Sequence, residues 1–179
     1  MKTKSRVGID PLKIFKQAER FHWSGQQLRR TNNRDHMQMQ IAPAIVLEAF
    51  ACKLYLKCLL CIETGKVPDT HLLKALFRDL RSETKQRLRE IWNVYVPSQE
   101  HVYGFIEKKF NTIVPRDLDW SIEGAIETFR DIRYLYEKDE PSSHFFLNDL
   151  PTMLRNFILE TPLWGKPTPL KGGEAASGG

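Results

Sequence analysis

The 179 residues contain no phosphate-binding glycine loop, no GxSxG elbow and no dinucleotide fingerprint. The easily recognised nucleotide and acyl-transfer enzymes are thereby excluded. His22, His36, His71, His101 and His144 are scattered, without HxxxH or HExxH spacing, so a zinc hydrolase has no support and no cofactor is expected. No strand alternation competes with the helical patterns, and no internal repeat is present. Cysteine is scarce: Cys52, Cys58 and Cys61 all fall in one helical stretch, and no apolar segment follows the basic residues 1–6. An odd count without an export signal leads to the expectation of a reducing, cytoplasmic compartment. Cys58 and Cys61 have CxxC spacing but no second ligand pair, so they read as small buried thiols.

What is present is a foldable, basic composition. Charged residues make up 27% and apolar residues 41%, which suits a packed domain rather than a disordered chain. The net charge is +5 and the pI is about 9.1. Basic residues recur at Arg29, Arg30 and Arg34, and again at Arg78, Arg81, Lys85, Arg87 and Arg89. Of these, Arg78, Arg81, Lys85 and Arg89 are the candidates for RNA contact, because phosphate neutralisation favours binding whatever the base sequence. Acidic residues are interspersed, and a solvated helix surface accounts for the same pattern.

The stretch Ala42–Glu63 organises the rest. Stepped at 100° per residue it is apolar almost all round, with Lys53 and Lys57 sharing the one polar strip. Those lysines, with Glu48 and Glu63 towards the ends, make bilayer insertion costly, so a helix buried in a bundle is expected and no membrane is.

Helical spacing and caps place the other elements. Asp10-Pro11 starts a helix to about Arg30, with Ile14, Ala18, Phe21, Gly25 and Leu28 inward and Gly25 admitting a close neighbour. Residues 31–36 read as a break, and Pro43 belongs in a first turn rather than a helix interior. Gly65 suits the C′ position of the central helix. Asp69 or Thr70 caps a helix burying Leu72, Leu73, Leu76, Phe77 and Leu80, and Ser82 caps another to Tyr95. After Pro97-Ser98 a helix runs to about Val114 through Val102, Ile106, Phe110 and Ile113, with Pro115 ending it. Ser121 opens a helix to about Lys138, and a last one spans about Leu150–Glu160. The expectation is all-α: a compact bundle of about six to seven helices over 10–161, between a basic tail, 1–9, and a Pro/Gly-rich flexible tail, 162–179.

Two charges stand where these helices expect apolar side chains. Glu48 shares its direction with Cys52, Tyr55, Leu59 and Ile62, and Arg133 falls among Ile122, Ile126, Phe129 and Tyr136. Buried charges need partners. The expectation is that they meet, and that Glu48, Arg130, Arg133 and Tyr134 form either a polar core cluster fixing helix register or a ligand site.

The order of features from Ala42 to Tyr136, with AFACKLYLKCLLCIETGKVPDTHLLKALFRDL followed by TFRDIRYLYE, resembles HEPN-domain proteins. Lys53 departs from the resemblance, standing where that family has an acidic residue. The resemblance implies a helical bundle, commonly homodimeric, from prokaryotic toxin–antitoxin, phage-defence or stress systems. Many members are metal-independent RNases using an RxxxxH pair, in which imidazole handles a proton and guanidinium stabilises charge. Arg155-Asn156 has the usual opening, but Glu160 stands in the histidine's place and Arg155 is expected away from the apolar face of its helix. Arg29 or Arg30 with His36 meets the spacing outside the region of resemblance. The expected function is association, as a homodimer or with a cognate partner, with RNA contact. The alternatives are an endoribonuclease, with Arg133, His144 and His36 as catalytic candidates, and a small-ligand or nucleotide-binding module around the Glu48 cluster.

Overall fold

Asp10 is held in extended backbone and its carboxylate accepts a hydrogen bond from the Leu12 amide at 2.9 Å, so α1, Pro11–Arg29, begins where a cap and a proline coincide. The computed structural model describes residues 5–30, 34–123 and 149–161. Within them the fold is all-α, with one small two-stranded sheet.

The central helix α2, Arg34–Thr64, ends at Gly65, whose φ of +68° favours glycine and whose amide donates to the Cys61 carbonyl at 2.9 Å. Pro43 lies inside this helix, contrary to the expectation of a start there. Proline removes one amide donor and crowds the preceding turn, at a cost of about 3 kcal/mol, but it does not forbid helix on both sides. Packing against α1 on the C-terminal side of the proline offsets that cost.

The two helices form an antiparallel hairpin, as the inverse order of their contacts shows. Gly25 meets Ala44 and Glu48, Phe15 meets Tyr55, and Cys58 reaches Pro11. A Cβ on Gly25 would lie 2.9 Å from Glu48 Cγ and 3.1 Å from the Ala44 carbonyl oxygen, so glycine is what permits this approach. The buried face of α1 is Phe15, Ala18, Glu19, His22 and Gly25. It is turned from the expected stripe, leaving Ile14, Phe21 and Leu28 only partly buried, because α1 spends that face on polar contacts.

The segment before α1 is tied down. β1, Ser5–Val7, pairs antiparallel with β2, Lys66–Pro68, with Arg6 opposite Val67. Arg6 Nε also meets Asp69 at 3.1 Å. These strands are too short for periodicity to reveal them, and the expected tail and loop are here a ladder. All three cysteines are free and buried. The Cys58 and Cys61 thiols donate to the carbonyls of Pro11 and Ile9, at 3.4 and 3.2 Å.

Beyond β2, α3 is Leu73–Arg78 and α4 is Ser82–Tyr95. Leu73, Leu76, Phe77, Leu80, Leu88 and Trp92 face the core, whereas Leu72, expected inside, is 56% exposed. Glu63 sets α4 against the end of α2: its carboxylate accepts from the Arg81 amide at 3.0 Å and from the Thr84 hydroxyl, and its carbonyl from Arg81 Nη2 at 2.6 Å. An acidic group at a helix start also suits the helix dipole.

A 3₁₀ turn, Val96–Gln99, leads to α5, Glu100–Phe110, which ends at Asn111 in the left-handed region. Tyr103 and Val114 make a small second core, and Ile113, expected inward, is exposed past the helix end. Arg116 fastens the returning chain, pairing with Glu100 at 2.6 Å and with Glu107, while its guanidinium lies 4.5 Å from the Tyr103 ring centre. Residues 118–123 are helical and bury Leu118, Ser121 and Ile122. The helix α6, Leu150–Glu160, packs Leu150, Met153, Leu154, Phe157 and Ile158 onto the hairpin, close to the expected span and face.

Candidate functional site

Two groups of polar side chains stand apart from the apolar core. The first is a seam along α1, where Glu19, His22, Gln26 and Arg29 succeed one another at helical spacing, from the buried Glu19 and His22 to the exposed Arg29. At one end Arg29 Nε and Nη2 donate to Glu48 Oε1 and Oε2 at 2.7 and 2.6 Å, a parallel fork. Glu48 is only 4% exposed, so the inward direction read from the helical pattern is correct. Among the described residues its guanidinium partner is Arg29, which donates to both oxygens. Arg130, Arg133, Tyr134 and His144, and the side chain of His36, lie outside the described residues.

At the other end Arg155 Nε donates to Glu19 Oε1 at 2.6 Å, and Glu19 is fully buried. Arg155 therefore faces α1 instead of turning away. Between the two pairs, His22 Nδ1 lies 3.1 Å from the Tyr55 hydroxyl, and Nε2 lies 3.0 Å from the Gln26 amide nitrogen and 3.4 Å from Thr152 Oγ1. The Gln26 amide nitrogen is a donor, which makes Nε2 the acceptor and leaves the ring proton on Nδ1 to be donated to the Tyr55 oxygen. Burial, with the Arg155 charge adding to it, pulls the imidazole down to about 4, and burial pushes the Tyr55 phenol up. Both groups are neutral at pH 7. Among the described residues no buried side-chain nitrogen or oxygen lacks a hydrogen bond, so the seam is a satisfied network joining α1, α2 and α6.

The second group is on the surface. A groove of about 530 Å³ between α3 and α4 is lined by Leu72, Lys74, Ala75, Phe77, Arg78, Lys85, Arg89 and Asp119. It brings together three of the four residues expected to contact RNA: Arg78, Lys85 and Arg89. Arg81 is committed to Glu63, and Lys74, absent from that expectation, joins the wall. Lys85 Nζ donates to the Arg78 carbonyl at 3.0 Å and Arg78 Nε to Asp79 at 3.0 Å. Lys74 meets Glu123 at 2.5 Å. Arg89 offers its fork to Asp119, with Nε to Oδ2 at 2.7 Å and Nη2 to Oδ1 at 3.0 Å. These hydrogen bonds hold Asp119 below the usual carboxylate range and raise Arg89. The Arg89 guanidinium also lies over the Phe77 ring, 5.3 Å from its centre.

The lining is thus four cations and one carboxylate around an apolar wall, with Lys74, Arg78 and Arg89 each meeting a carboxylate, on Glu123, Asp79 and Asp119. Among the described residues no cluster of His, Cys, Asp or Glu could hold a metal ion, and no helix is long and apolar enough to cross a membrane. The polar seam was missed because a buried Glu and His at core spacing look, in one sequence, like the solvent side of an amphipathic helix. The one signal was that Gly25 shares their phase.

No protein-family model, no curated protein and no solved structure matches the chain.

Proposed function

We propose that this chain is a HEPN-like helical protein that works by association, as a homodimer or with a cognate protein partner in a prokaryotic stress, toxin–antitoxin or phage-defence system, and that it holds RNA in the groove between α3 and α4. The observation that carries the RNA reading is the convergence of Lys74, Arg78, Lys85 and Arg89 on one groove whose lining has a single carboxylate, Asp119. Guanidinium and ammonium groups on a partly apolar wall suit a phosphodiester chain. All-α architecture with a central apolar helix supports the HEPN-like resemblance.

The test is retention of labelled RNA across a salt series. For a single strand the logarithm of affinity should fall with the logarithm of salt by about 0.7 per phosphate contacted, and Arg78→Glu with Lys85→Glu should flatten the slope. No retention at low salt would end the RNA reading. Mass by light scattering against concentration tests the association.

A metal-independent endoribonuclease is the second reading; its expected candidates Arg133, His144 and the His36 side chain lie outside the described residues, and a described histidine, His22, meets Thr152 of the Arg155-Asn156 helix at 3.4 Å. It ranks lower because His22 is 5% exposed with both ring nitrogens engaged, and Arg155 is committed to Glu19. Cleavage in EDTA leaving cyclic-phosphate ends, lost in His22→Ala, would reverse that order.

A further inference from the structure

The groove differs from a plain basic patch in two respects. One of its cations, Arg89, is already occupied by a carboxylate held as a phosphate would be, two oxygens on two nitrogens in parallel. The same lining holds Leu72, a large apolar side chain 56% exposed, together with Ala75, and the Arg89 guanidinium lies 5.3 Å from the centre of the Phe77 ring. A duplex presents phosphates and keeps its bases stacked inside, and would leave that apolar wall wet. An unpaired nucleotide presents both a phosphate and an exposed base.

We propose that the groove is a seat for an unpaired RNA strand, in which one phosphate takes the place of Asp119 on the Arg89 fork and the adjoining base covers Leu72 and Ala75. This rests on the reading of the groove as an RNA site and adds the strandedness of the ligand and the residue that sets its affinity. The volume of about 530 Å³ falls within the roughly 300–1,000 Å³ of clefts that hold small ligands, enough for one nucleotide. Arg78 and Lys85 line the same groove and supply further positive charge. Asp119 acts as a resident competitor. Its side chain is 54% exposed and that of Arg89 45%, so the pair is wet and exchange with a phosphate costs little desolvation.

The experiment compares binding of the full chain to a single-stranded RNA and to a duplex of the same length at one salt concentration, in the parent protein and in Asp119→Asn and Leu72→Ser. The single strand is expected to bind tighter than the duplex. Asp119→Asn should tighten it by about two- to fivefold, because an exposed ion pair no longer competes. Leu72→Ser should weaken the single strand by about fivefold and leave the duplex unchanged, because only the base contact is lost. Circular dichroism checks that both exposed substitutions leave the helices intact, and Asp119→Ser repeats the competitor test with a different side chain. Equal affinity for strand and duplex, weaker binding in both Asp119 variants, or displacement of RNA by polyglutamate at equal charge would overturn the proposal while leaving a basic RNA surface standing. Binding of neither RNA would end the functional reading itself.

Discussion

Arg29, in the last turn of α1, holds both carboxylate oxygens of Glu48 on α2, and the two ends of this pair are unequally buried: the arginine side chain is 35% exposed and the glutamate 5%. That asymmetry predicts unequal mutants. Removing Arg29 strands a carboxylate in the hairpin, so Arg29→Ala should cost about 3–5 kcal/mol. Glu48→Gln leaves an arginine that can turn to water and should cost about 1–2 kcal/mol. Urea unfolding of both variants and of the double mutant checks this; the double should lose clearly less than the sum. Additive losses would show that the pair is not coupled.

Directly beside this pair, Gly25 sets the spacing of the helices. Alanine is the better helix former by about 1 kcal/mol, so on propensity alone Gly25→Ala would stabilise. The added carbon would instead meet Glu48 Cγ at 2.9 Å, a group pinned by Arg29, and the Ala44 carbonyl at 3.1 Å. Overpacking of this kind costs about 1–3 kcal/mol, and a lower melting temperature is expected. Gly104 in α5 has nothing within 4 Å of its Cβ position, so Gly104→Ala should raise the melting temperature and serves as the control.

His22 gives the fold an acid limit above the carboxylate range. Its ionisation is lowered from 6.5 to about 4 by burial and by Arg155, so between these values the unfolded chain binds the proton more readily than the folded one. Stability is therefore full above pH 6.5 and falls as the pH drops towards 4, by on the order of 3 kcal/mol in total. His71, lowered chiefly by burial and by Lys57, contributes in the same direction. The discriminating measurement is the urea midpoint from pH 7.5 to 5 in the parent and in His22→Gln, whose slope should be shallower. Glu107, held down to about 2 in the folded chain by hydrogen bonds from Arg116 and the Val114 amide, contributes stability that is lost as the pH falls from its ordinary 4.5 towards 2, below this window.

These residues mark where sequence reading reached its physical limit. Asp10-Pro11, Gly65, Pro97-Ser98 and the Leu150–Glu160 stripe act locally and mark helix ends as expected, whereas α3 and α4 have Leu72 and Arg81 at their N-caps in place of the expected Asp69 or Thr70 and Ser82. Glu48 was legible as an inward charge because every neighbour in its direction is apolar. That Arg29 reaches it was not, because this contact depends on α1 folding back along α2, with Gly25 against Ala44 and Glu48. The basic residues 78, 85 and 89 were visible as charges, but Lys74 and Asp119 join them only through tertiary placement. Leu72, expected inward, is exposed at the N-cap of α3, because periodicity does not distinguish a residue just before a short helix from one within it.

The pair at the far end of the seam separates stability from specificity. Glu19 is fully buried and the Arg155 side chain 18% exposed, so their Coulomb attraction works against a large desolvation cost. Breaking the pair leaves a charge in the interior: Arg155→Met alone should cost about 3–5 kcal/mol, and Glu19→Leu a similar amount. Replacing both at once removes the desolvation cost along with the attraction, so Glu19→Leu with Arg155→Met should recover most of the loss in urea unfolding. What the double variant should not recover is the environment of His22, which loses the cationic neighbour that helps keep it neutral. Its imidazole should titrate higher by NMR than in the parent, though burial, the larger cause, still holds it below 6.5. A double variant as unstable as Arg155→Met would mean that Glu19 and Arg155 align α6 on the hairpin in a way apolar side chains cannot reproduce.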